Sequence, residues 1–142
     1  MCERAMRAEM WEPIGGIDEP CGEISFSYSP AHTATIVMAF NGVAGGPSRH
    51  LTLNFKQVVV LCSEEECPGW FMPLPEHLPK LARGDHPSWT FPLLKLMDSE
   101  ALRRYDMIFH RQGQPMAHFC FISLHNIVQV IADAEVNLAW TS

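Results

Sequence analysis

Positive charge is scarce in this chain. Ten Lys and Arg stand against sixteen Asp and Glu, for a formal net charge of −6 with histidine neutral. No basic cluster interleaves with aromatics, so there is no face to neutralise phosphates and nucleic-acid binding is not expected. Long apolar runs are also missing. Ile36–Phe40 and Val58–Cys62 are the longest, at five residues each. A membrane-spanning helix needs about 18 apolar residues, so no membrane association is expected. The opening MCERAMRAEMWEP carries charges throughout and has no apolar stretch of signal-peptide type. Five cysteines, an odd number, then predict a cytoplasmic protein with free thiols.

Catalytic signatures are absent as well. There is no GxSxG, no GxxxxGK[ST], no GxGxxG and no HExxH. The glycine-rich stretch Gly42–Gly46 lacks the lysine and the following helix that would cradle a phosphate. No cofactor is expected, and the balance is against an enzyme. Nothing in the sequence specifies an oligomeric state.

What the sequence does contain is a globular composition, 47% hydrophobic and 18% charged. A chain of 142 residues is the usual size of one domain. We read 1–142 as a single domain, with 1–22 as a loosely ordered N-terminal segment in which Arg4–Met10 forms a turn or two of helix. Ile24–Ser29 alternates apolar and hydroxyl residues, the pattern of a strand with one buried face. Thr33–Phe40 is β-branched and apolar and reads as a second strand, followed by an Asn41-Gly42 turn. Leu51–Lys56 alternates again and runs into the apolar Gln57–Cys62, as one long strand or as two broken near Gln57.

Residues 63–92 hold six of the eleven prolines and read as a long loop. Phe91–Met97 reads as a strand with Pro92 at its start or at an edge. Asp98-Ser99 offers an N-cap for one short helix, about 99–106. Its Leu102 and Tyr105 lie three apart and would face the sheet. Met107–Phe109, Met116–Leu124, Ile127–Ala132 and Glu135–Trp140 complete the strand pattern. The expected fold is therefore mainly β: an antiparallel sandwich or curved sheet of seven to nine strands.

Segment 62–77, CSEEECPGWFMPLPEH, concentrates the residues that could carry chemistry. Zinc favours Cys and His, with near ligands two to four residues apart. Cys62 and Cys67, with His77 and His86 further on, sit at the edge of that window. They support an alternative reading as a small metal-dependent or Cys/His hydrolase. Glu64, Glu65 and Glu66 are three acids in a row at a strand end, and the expected role is a solvated turn that discourages edge pairing. His118 and Cys120 share a strand face, where a half-buried imidazole beside a core thiol is expected. Trp70, Phe71 and Trp89 decorate the long loop. Long loops in compact domains are usually functional or disordered, and apolar residues on them either fold back on the core or present a contact surface. They are the expected binding residues.

The order of signals in the second half, FPLLK at Phe91–Lys95, then Asp98-Ser99 with a short helix, His118-Phe-Cys-Phe-Ile-Ser, and Ile127-Val-Gln-Val-Ile-Ala, resembles small bacterial proteins, some of them immunity proteins. The likeness covers residues 91–136. It implies a partner protein, a toxin encoded by a neighbouring gene, and carries over no catalytic residue. Together these readings predict a non-enzymatic cytosolic protein-binding domain.

Overall fold

A computed structural model describes residues 5–40, 48–65, 74–82, 87–109 and 115–141. Nine strands and one helix are found among them: β1 Arg7–Met10, β2 Glu23–Ser29, β3 Thr33–Phe40, β4 Arg49–Phe55, β5 Val60–Glu64, β6 Leu93–Met97, α1 Glu100–Phe109, β7 Met116–Ile122, β8 Ile127–Asp133 and β9 Asn137–Thr141. They form two antiparallel sheets. One has the order β1-β6-β7-β8-β5 and the other β2-β3-β4-β9. The mainly β reading of the sequence is correct.

The sheets meet face to face over an aromatic centre. Phe55 on β4 lies edge-on to Phe119 and Phe121 on β7, with ring centroids at 5.3 and 5.8 Å. Trp11, just past β1, packs on Phe119 at 4.7 Å. Ile36, Met38, Leu51 and Leu53 fill the rest of the four-stranded sheet's inner face, all fully buried. Their alternation with Val37, Thr52 and Asn54 is the period of two that the sequence shows.

One residue moves the chain from one sheet to the other. Gln57 takes a left-handed backbone (φ 53°), which is uncommon for a residue with a side chain. It ends β4 and turns the chain across to β5, so the break near Gln57 separates two strands rather than bulging one.

Two expectations are overturned. Residues 7–10 form a strand and not a helix. Arg7–Met10 pairs with Leu94–Met97, and an open sheet edge outweighs the weak helix propensity of so short a segment. Downstream, Ile17 and Cys21 are each 1% exposed, anchoring this part of the N-terminal segment in the core. The helix runs to Phe109, so Met107–Phe109 extends it instead of starting a strand. The Ser99 cap itself stands where the sequence places it: the Leu102 N–H donates to Ser99 Oγ at 3.2 Å.

Candidate functional site

The long segment after β5 is organised where it is described. The Leu81 N–H donates to the Trp89 carbonyl at 2.8 Å, and the Phe91 N–H to the Pro79 carbonyl at 2.9 Å. Lys80 and Thr90 form an antiparallel bridge. Residues 79–82 and 87–91 thus run alongside each other as a small ribbon. Leu81 roots it in the core at 2% exposure. This ribbon presents Trp89, which remains 38% exposed.

Trp89 faces a groove of about 290 Å³ lined also by Pro20, Cys21, Ile122 and Leu124. The opposite wall is built by hydrogen bonds. The Leu124 N–H donates to the Cys21 carbonyl at 3.0 Å, and Cys21 bridges Ser123. Ser123 Oγ accepts the N–H of Asn126 at 2.9 Å and fixes the β7–β8 turn. That turn holds Leu124 half in solvent, at 51% exposure. Trp89 and Leu124, both exposed, thus line one groove. Trp70 and Phe71, the other two expected binding residues, lie outside the described residues.

The candidate ligands of a metal fare differently. Cys67 and His86 lie outside the described residues. Cys62 is half-buried on β5, its thiol directed at Glu64 Oε1 at 3.9 Å. Burial and then the Glu64 charge push that thiol's pKa up, away from the thiolate a metal or a nucleophile needs. His77 is exposed. Among the described residues no three His, Cys, Asp or Glu side chains gather as an ion site. Glu64 departs from the solvated-turn expectation, being only 9% exposed on the Cys62 face of β5. Glu65 is exposed as expected.

A second polar cluster lies inside. Ser99 Oγ meets His118 Nδ1 at 2.6 Å, and His118 Nε2 meets Gln129 Oε1 at 2.7 Å. With Gln129 presenting its carbonyl oxygen, Nε2 carries the imidazole proton and Nδ1 accepts from the Ser99 hydroxyl. The order hydroxyl–imidazole–orienter is that of an activated nucleophile. Two facts deny it that role here. All three residues are 2% exposed or less. The Ser99 oxygen already accepts the Leu102 N–H. The cluster instead clamps the start of α1 onto β7 and β8. Burial lowers the His118 pKa, partly offset by the Gln129 bond, so the neutral ring is the folded form.

Cys120, on the same face of β7, is fully buried, and its thiol is pushed up to about 12 by burial and by the Glu64 charge. The imidazole beside a core thiol is therefore present, but His118 is buried and not half-buried. Sequence reading missed its link to Gln129 and Ser99. The available signal was two polar residues, His118 and Gln129, set inside strands whose other residues, the terminal Asp133 aside, are apolar on both faces. No helix among the described residues is long and apolar enough to cross a membrane. Compared with known proteins, the chain matches no family model, no curated protein and no solved structure.

Proposed function

We propose that this chain is a non-enzymatic, cytosolic protein-binding domain whose contact face is the Trp89–Leu124 groove. The observation that carries the reading is the pairing of exposed Trp89 with exposed Leu124 over an ordered floor. Large apolar side chains on a polar surface rarely sit together without a use. Trp is the residue type most often found to dominate binding energy.

The charge around the groove points to a basic partner. Asp18, Glu19 and Glu23 flank the Pro20-Cys21 wall in sequence. Arg49 answers two of them, at 3.4 Å from Asp18 and 3.9 Å from Glu19. The chain as a whole carries −6. Complementary charge speeds encounter and selects partners. The resemblance of residues 91–136 to immunity-type proteins narrows the partner to a toxin made by an adjacent gene. That narrower reading rests on the resemblance alone.

The test is co-expression with the product of the adjacent gene, followed by titration calorimetry. A stable complex and protection from toxicity are expected. Trp89→Ala should weaken binding at least tenfold, about 1.4 kcal/mol or more, with the melting temperature unchanged. No complex removes the immunity reading. A Trp89→Ala protein that binds normally moves the contact off the groove.

A further inference from the structure

β6 and β7 stay paired as far as Pro92, whose carbonyl accepts the Ile122 N–H at 2.9 Å, and then they fork. The register that sets Leu93 opposite Phe121 would set Thr90 opposite Leu124. Leu124 is taken: its N–H goes to the Cys21 carbonyl at 3.0 Å. Residues 87–91 turn the other way and pair with 79–82. The groove of about 290 Å³ is the space inside this fork, with Ser88, Trp89 and Thr90 on one side and Pro20, Cys21 and Leu124 on the other.

The fork leaves one residue's main chain open. In an antiparallel strand, a residue's N–H and C=O point to the same side, and the side alternates. The Trp89 carbonyl and the Phe91 N–H both bond to residues 79–82, so these two face the ribbon. Thr90, between them, faces the opposite side, the one on which Pro92 meets Ile122. That side is the groove. Among the described residues the Thr90 N–H and C=O have no hydrogen-bond partner. An open donor and acceptor on one strand residue are half of a β-bridge, the group by which an extended peptide adds to a strand.

Side chains and charge say what such a peptide must carry. Side chains alternate along a strand, so the two neighbours of a residue paired with Thr90 lie on the face of Trp89. They should be apolar. Burial, then the charges of Glu23 and Glu19, push the Cys21 thiol up to about 12, so both carboxylates stand near the groove wall. Glu19 shares Arg49 with Asp18. Glu23 is exposed and, among the described residues, pairs with no cation. Lys80 lies on the far strand of the ribbon and does not line the groove.

We propose that the partner docks by strand addition: an extended segment of it, apolar toward Trp89 and bearing a lysine or arginine toward Glu23, pairs with Thr90 through both main-chain groups. This rests on the Trp89–Leu124 groove as the contact face and adds the form in which the partner enters it.

The probe is the capped peptide acetyl-Lys-Val-Thr-Val-Lys-amide, titrated while the amide resonances of the whole chain are followed. Those of Trp89, Thr90 and Leu124 should shift saturably, with Kd in the millimolar range. Thr90→Pro removes the outward N–H and none of the ribbon's bonds, at an edge position that admits proline. It should bind about tenfold more weakly, whereas Thr90→Val, which keeps the N–H, should bind as wild type. A peptide methylated on its central amide nitrogen should weaken equally, with the protein untouched. Methylated and unmethylated peptides that bind alike overturn strand addition. If Trp89→Ala still weakens both, the groove stands as the contact face; if it weakens neither, that reading falls too. Absence of any saturable shift in the millimolar range also overturns the proposal. So does a Thr90 amide protected from hydrogen exchange in the free chain, which puts a segment of the chain itself in the fork. A dimer that Thr90→Pro dissociates puts a second copy there, with the same consequence.

Discussion

The two faces of β7 are made from neighbouring residues and do opposite things. Phe119 and Phe121 point at Phe55 and Trp11 and belong to a dry aromatic core. His118 and Cys120 point the other way, to a face whose polar members are bonded to one another and to α1. Both faces are buried. The inner one is held by shape and apolar area, and the outer one by satisfied hydrogen bonds. The first tolerates loss of a partner badly because a void remains. The second tolerates it badly because a polar group is left stranded.

Truncation separates the two faces. Phe119→Ala should destabilise most, by about 3–5 kcal/mol, because the ring touches Phe55 and Trp11 and the surrounding sheets cannot both close on the gap. Chemical denaturation measures it. On the outer face, His118→Ala should cost about 2–4 kcal/mol by stranding the Ser99 hydroxyl and the Gln129 amide. The sharper experiment removes the whole relay. Beyond about 0.5–2 kcal/mol for the lost Ser99 cap on the Leu102 N–H, Ser99→Ala, His118→Leu and Gln129→Leu together should lose less stability than His118→Ala alone, since no other group is stranded. If the triple variant is the worse by more than that cap, the outer face is held by packing and the contrast fails.

Acid titration affects only the outer face. The folded state holds His118 neutral with a lowered pKa, while the unfolded chain protonates it near its ordinary value of 6.5. Below that value the unfolded state binds the extra proton, so stability falls as pH drops from 6.5 toward the folded pKa. The slope from this residue is at most about 1.4 kcal/mol per pH unit. It should vanish in the triple variant and persist in Phe119→Ala. The smallest effect belongs to the solvent side of α1. Arg104 pairs with Glu100 at 2.9 Å, four residues apart and well exposed. Arg104→Ala should cost about 0.3–0.5 kcal/mol, measurable as a slight loss in melting temperature that salt removes.

The strands were readable where alternation is clean, as in Ile24–Ser29 and Leu51–Phe55. They were readable again where β-branched residues crowd, as in Thr33–Phe40. The Ser99 cap was readable because its chemistry is local. β1 was not, because RAEM has no strand pattern and is held only by β6, more than eighty residues away. The end of α1 was missed because Met107–Phe109 is apolar, and three apolar residues fit a strand as well as a helix turn. Trp89 could be named as a contact residue from composition. Leu124 could not, because its place beside Trp89 comes from the Cys21–Ser123 bridge, a pairing across a hundred residues. The Ser99–His118–Gln129 relay was invisible for the same reason: each member is ordinary alone, and only the sheet brings them together.

The interleaving of the two sheets bears on how the chain is made. β1 waits for β6, and β4 waits for β9. The five-stranded sheet is complete once β8 has been synthesised, and the four-stranded sheet only with β9, Asn137–Thr141. On the ribosome β4 therefore exposes an unfinished edge, and Phe40 lacks its contact with Trp140 at 5.3 Å, until β9 emerges. The protein has no autonomous half. A chain stopped short of Asn137 leaves an open, apolar sheet, the form most exposed to aggregation and to proteolysis.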